Sequence, residues 1–260
     1  MPFESTIDNN NKITNDFKQI VKECFSSIYE TLGKNNFKRW IHTREVSKDI
    51  EELIFDWMTE EDKENRPNSD GFTKTDSSEI RIRRSETAKD TSIHELYHLV
   101  TRHSKRFSIY INEGMTEYLK GMTSEKGSNS YMDNVKMVEF LHKMLGDFLI
   151  KAYLLGKDES FDRKFAETIS QNEEKLPEAE KEINEFYKTL DKRHKLLYPI
   201  TKDEIKSTLE EKESKQHEFD ETTNEMKNMI RKIILGKTHQ MAQDLEFYQD
   251  GKITNLIIVS

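Results

Sequence analysis

Apolar positions early in the chain recur at helical spacing. Phe17, Ile20, Val21, Cys24, Phe25, Ile28 and Leu32 fall on one stripe, with Gly33 placed to end it, so residues 13–32 predict an amphipathic helix. A second stripe, Ile50, Leu53, Ile54, Trp57 and Met58, predicts a helix over 47–58. The polar, breaker-rich EEDKENRPNSDG that follows reads as a loop or linker. In EIRIRR, residues 79–84, apolar and charged residues alternate at period two, the pattern of a strand with one solvated face. A further helix starts between Ser85 and Asp90 and carries TSIHELYHLV, residues 91–100.

Downstream, Val135, Val138, Leu141, Leu145, Phe148, Leu149 and Ala152 predict one or two buried helices. Leu176 and Pro177 open another, with Ile183, Phe186, Tyr187 and Leu190 as its stripe. Thr201 and Glu204 form a capping box for the next. Residues 210–225 have almost no apolar face and predict an exposed helix or a flexible connection, after which Met226, Met229, Ile230, Ile233 and Ile234 resume a core stripe. The final KITNLIIVS reads as a terminal strand. These elements predict a mainly helical α+β fold in three parts: a helical segment over 1–65, a core over 66–165 and a charged helical region over 166–260.

Composition narrows the partners. Charged residues make up 35% of the 260 positions and the net charge is −8, so a broad nucleic-acid footprint is not expected. No apolar leader and no run of membrane-spanning length is present, so the expectation is a cytoplasmic protein without a membrane partner, or one exported by a dedicated machine without a signal peptide. Cys24 is the only cysteine and lies within an apolar stripe, which predicts a core thiol rather than one that masks a metal. Oligomeric state is not legible.

The chemistry concentrates in HELYH. Residues four apart on a helix differ by about 40° around the axis, so His94 and His98 can aim two imidazole nitrogens at one point, a set that suits Zn²⁺. Glu95, turned by about 100° from His94, is free to act on a water beside the metal as general base. A catalytic zinc needs a third protein ligand and an open position. In YINEGMTEYL, Glu113 can supply that ligand from a second helix capped by Asn112, after a turn at 104–106. Glu117 shares the face of Glu113 and can accept the ring N–H of a ligating histidine.

HExxH followed by NExxxE resembles the gluzincin zinc peptidases, across about 40 residues from the strand at 79 to Leu119. The resemblance implies an active-site helix and a glutamate helix holding a metal beneath a small sheet. It also implies His94, His98 and Glu113 as zinc ligands, Glu95 as base, Glu117 behind them, and a peptide or protein as substrate. The gap from His98 to Glu113 is shorter than in the large gluzincin families. Other HExxH groups fit less well. Thr101 and Ser104 stand where metzincins have glycine and a third histidine, and Cys24 in KECFSS lacks the deformylase context. His103 reads as a helix-end histidine, favourable near the negative pole of the dipole.

Substrate handling rests on weaker signals. EIRIRR, through Ile80 and Ile82, is a candidate edge strand that holds a peptide by main-chain hydrogen bonds. The oxyanion donor is sought among Tyr131, favoured, and Tyr110, His142 and His103. Three rival readings stand beside a general peptidase: a target-specific protease effector or toxin, a binding or regulatory protein with a non-catalytic zinc, and a helical scaffold with no metal at all.

Overall fold

The structure, a computed structural model, describes residues 4–42, 44–101, 107–123, 131–156, 158–170, 173–199 and 211–244. It is mainly helical α+β, with one three-stranded mixed sheet. The N-terminal helices are α1 (Glu4–Asn9), α2 (Asn15–Leu32), α3 (Lys34–Ile41) and α4 (Arg44–Glu52). In α2 the anticipated stripe faces inward and Gly33, at φ 71°, closes the helix by donating its N–H to Tyr29 O. Cys24 is fully buried there, as its stripe implied.

The second predicted helix is half strand. α4 stops at Glu52 and Ile54–Trp57 form β1. Ile54, Phe55 and Trp57 have side chains suited to a pleated surface, and spacing alone does not separate a short apolar run of this kind from a helical turn. Tertiary contacts decide it. Phe55 is fully buried and stacks on Phe17 at 4.3 Å, while the Asn10 side-chain amide donates to the carbonyls of Ile50 and Leu53 (3.2 Å each) and holds the end of α4.

EEDKENRPNSDG is likewise more than a loop. It contains α5 (Glu60–Asn65), started by a reciprocal capping box between Thr59 and Asp62, and its last residue, Gly71, enters β2 (Gly71–Lys74). A four-residue turn leads to β3 (Glu79–Ile82). The strand order is β1-β3-β2, with β1 parallel and β2 antiparallel to β3.

This order corrects the expected edge strand. β3 is central: Ile80 pairs with Phe55 on one side and Thr73 on the other, and both Ile80 and Ile82 are fully buried core residues. A strand with two neighbours has no backbone left for a peptide, so Ile80 and Ile82 do not bind one by strand addition. The outer side of β1 is occupied too, because Phe55 N–H donates to Lys12 O (3.1 Å) and Thr14 N–H to Phe55 O (3.0 Å). Among the described residues, no strand pairs with the outer edge of β2.

Across β2 and β3 lies α6 (Ala88–Val100), with α7 (Ile109–Thr123) packed beside it. Then come α8 (Met132–Leu145), α9 (Phe148–Leu154), α10 (Asp158–Ser170) and α11 (Leu176–Leu197), the last opening at Leu176-Pro177 as expected. The long α12 (Lys212–Asp244) packs on α10 and α11. One apolar cluster runs from Ile7 to Ile233, so α2 lies directly behind α6. Among the described residues, no helix is long and apolar enough to cross a membrane. The terminal KITNLIIVS, the Thr201–Glu204 box, His103 and the turn at 104–106 lie outside the described residues.

Candidate active site

α6 is buried on most of its circumference, which fixes its rotation; Ser92, Ile93, Leu96, Tyr97, Leu99 and Val100 are all covered. His94 and His98 emerge on one side. α7 begins at Ile109, earlier than Asn112 would have set it, because Ser108 is the cap: its Oγ accepts the Ile111 N–H at 3.1 Å. Asn112 instead takes a hydrogen bond from the Tyr153 hydroxyl (2.5 Å) inside the first turn. That start places Glu113 opposite the histidines.

Three donor atoms meet. His94 Nε2 and His98 Nε2 are 2.9 Å apart, and Glu113 Oε2 lies 3.2 Å from the first and 3.3 Å from the second. Tetrahedral zinc with bonds of about 2.0–2.1 Å separates its ligand atoms by roughly 3.3–3.4 Å. The triangle therefore has nearly the right size for such an ion, and His₂Glu is a donor set suited to it.

Behind the triangle, Glu117 Oε1 lies 2.8 Å from His94 Nδ1, with the ring N–H not aligned well on that oxygen. Lys120, itself buried, reaches both Glu117 oxygens at 2.9 and 2.7 Å. Burial alone would lower the basicity of His94, but Glu113 and Glu117 outweigh it and push its pKa up to about 10. Burial would raise Glu113, and the two histidines outweigh this and hold it well below the usual carboxylate range. Such mutual stabilisation is how a set of metal donors behaves when protons take the place of the cation. His98 Nδ1 faces Asn112 and Thr116, each at 3.5 Å.

The chain matches no protein family, no curated protein and no solved structure. Its chemistry is therefore read from this geometry.

Glu95 is buried beside the triangle and outside the converging set. Its carboxylate is met by the Thr73 hydroxyl of β2 at 2.8 Å. Of the candidate oxyanion donors, Tyr131 adjoins the site: its ring stacks on His94 with centroids 5.8 Å apart. It sits just before α8 at φ 51°, a left-handed conformation rare for a bulky residue. Burial and then Glu113, Glu95 and Glu117 push its phenol up, so it stays protonated at neutral pH. Tyr110 is fully buried and spends its hydroxyl on Asp133 (2.7 Å), while His142 is held by Tyr118 and Asp147.

Sequence reasoning missed four neighbours. Thr73 lies on a strand too short to carry a periodic signal. Lys120 was legible in principle, as a cation three residues beyond Glu117. His194 and Tyr198, which pack on Tyr131 with centroids at 5.6 and 4.8 Å, come from α11 and its end, far along the chain. Cys24 lies on the Tyr97 side of α6, away from the converging donors, and burial pushes its thiol up.

Proposed function

We propose that the chain is a zinc-dependent peptidase of gluzincin type, with His94, His98 and Glu113 as metal ligands and Glu95 as general base. The observation that carries this reading is the triangle of donor atoms, with sides of 2.9, 3.2 and 3.3 Å, next to a buried glutamate outside the set. Bound zinc would supply a Lewis acid for a water molecule and for the peptide carbonyl. Glu95 would take a proton from the water and pass it to the departing amine. Tyr131, protonated and stacked on His94, is the favoured donor to the oxygen that gains charge. Glu117 would hold the His94 ring in the orientation that presents Nε2. The outer edge of β2, next to Glu95, suits an extended peptide added as a fourth strand.

The test combines metal content with cleavage. Elemental mass spectrometry of the wild type should find about one zinc per chain, with the metal lost or much weakened in Glu113→Ala. A mixed peptide library should be cut by the zinc-loaded wild type and not by Glu95→Gln. No zinc in the wild type after zinc is supplied, or equal cutting by Glu95→Gln, overturns the reading.

A further inference from the structure

We propose that Thr73 is a positioning residue for the general base, so that the strand offered to a peptide also sets the Glu95 carboxylate. The proposal rests on the peptidase reading above. Thr73 Oγ lies 2.8 Å from Glu95 Oε2 and 2.8 Å from Glu95 O. The hydroxyl has a single proton to give. Glu95 O belongs to the middle of α6, where a carbonyl receives the N–H four residues on, so the carboxylate is the acceptor that gains most. No other described side chain donates to that carboxylate, and Glu95 as a residue is buried.

The strand is shaped around this contact. Side chains two apart on a strand share a face, so Gly71 and Thr73 both address α6 while Phe72 and Lys74 point the other way. A Cβ at Gly71 would fall 2.6 Å from Thr91 Cγ2 and 3.1 Å from Glu95 Cγ. The bare position admits the glutamate stem, and the hydroxyl two residues later fixes its end. With Oε2 held, Oε1 is the oxygen left for the water. A base held in one rotamer reacts from a fixed geometry, and a misplacement of about 1 Å can cost on the order of 100-fold in rate.

The experiment compares Thr73→Val, which removes the hydroxyl and keeps the branched shape, with Thr73→Ser, which retains the hydroxyl. The first readout uses metal-free protein carrying ¹³C at the glutamate carboxyls, with the Glu95 resonance assigned by its absence in Glu95→Gln. The second is kcat and KM of zinc-loaded protein on the best-cleaved member of a fluorogenic peptide library, with zinc content measured on the same samples. Thr73→Val should move the Glu95 resonance and lower kcat about 10- to 100-fold at unchanged KM and zinc content. Thr73→Ser should restore both. An unmoved resonance, an unchanged kcat, or a loss that serine does not restore overturns the proposal. A resonance that moves in a wild-type background that binds zinc yet cuts no peptide sinks the peptidase reading, and the positioning role falls with it.

Discussion

Lys120 shows how strongly single charges are coupled around this site. Its ammonium is buried against a buried carboxylate, and that carboxylate in turn lies against His94. Removing one member of a buried pair typically costs about 3–5 kcal/mol, and less where a second counter-charge remains, as protonated His94 does for Glu117. Lys120→Met should therefore destabilise the metal-free protein by about 1–3 kcal/mol. The double variant Lys120→Met/Glu117→Gln should recover part of that loss, because the carboxylate that lost its ammonium is gone. Urea denaturation of the wild type, Lys120→Met, Glu117→Gln and the double variant measures it. If the double variant is as unstable as the sum of its singles, Lys120 acts through packing of its stem and not through Glu117.

At the scale of elements, the site depends on how closely α7 and α8 approach. Gly114 lies one residue after Glu113, and a Cβ there would stand 2.7 Å from the Asn134 backbone oxygen and 2.9 Å from Val138 Cγ2. The close approach lets the Asn134 amide donate to Tyr110 O at 2.9 Å and to His194 Nδ1 at 3.1 Å, tying α7, α8 and α11 together behind Tyr131. Gly114→Ala must push backbone rather than a flexible side-chain end, so overpacking of about 1–3 kcal/mol is expected despite the better helix propensity of alanine. A thermal melt at or above the wild-type midpoint would contradict this account. Legibility divides along the same line. Contacts within one or two turns of helix could be read from spacing: His94 with His98, Glu113 with Glu117, and the α2 stripe around Cys24. Contacts made by pairing could not. β1 hid inside an apparent helix because Ile54 and Trp57 continue the helical stripe of Ile50 and Leu53 and only Phe55 falls off it, and β2 contributes a single buried apolar residue, Phe72. With β2 unseen, β3 passed for an edge and Thr73 was assigned to no element.

Over the whole molecule, the C-terminal helices are joined to the site-bearing half partly through one carboxylate. Asp133 on α8 receives Arg193 of α11 through two nitrogens, at 2.6 and 3.0 Å, and the Tyr110 hydroxyl of α7 at 2.7 Å. The same guanidinium lies 4.2 Å from the Phe219 ring centroid and donates to Thr223 on α12. Burial would raise the Asp133 pKa, but Arg193 and Tyr110 outweigh it and hold the carboxyl below its ordinary value. A carboxyl depressed in the folded state stabilises the fold above its unfolded pKa of about 3.9, and that contribution fades as pH falls through the folded value. Asp191 works in the opposite sense, pushed up by burial although the N–H groups of Tyr110 and Ile109 oppose the shift, so its protonation offsets part of the acid loss. Asp133→Asn removes the depressed group, and its partial exposure keeps the cost at neutral pH to about 1–3 kcal/mol. Melting temperatures measured from about pH 7 to pH 3 should then fall less steeply below about pH 4 in Asp133→Asn than in the wild type. Parallel acid limbs would mean that the junction between the two halves is held by the apolar contacts of α11 and α12, with the Asp133–Arg193 pair contributing nothing to pH-dependent stability.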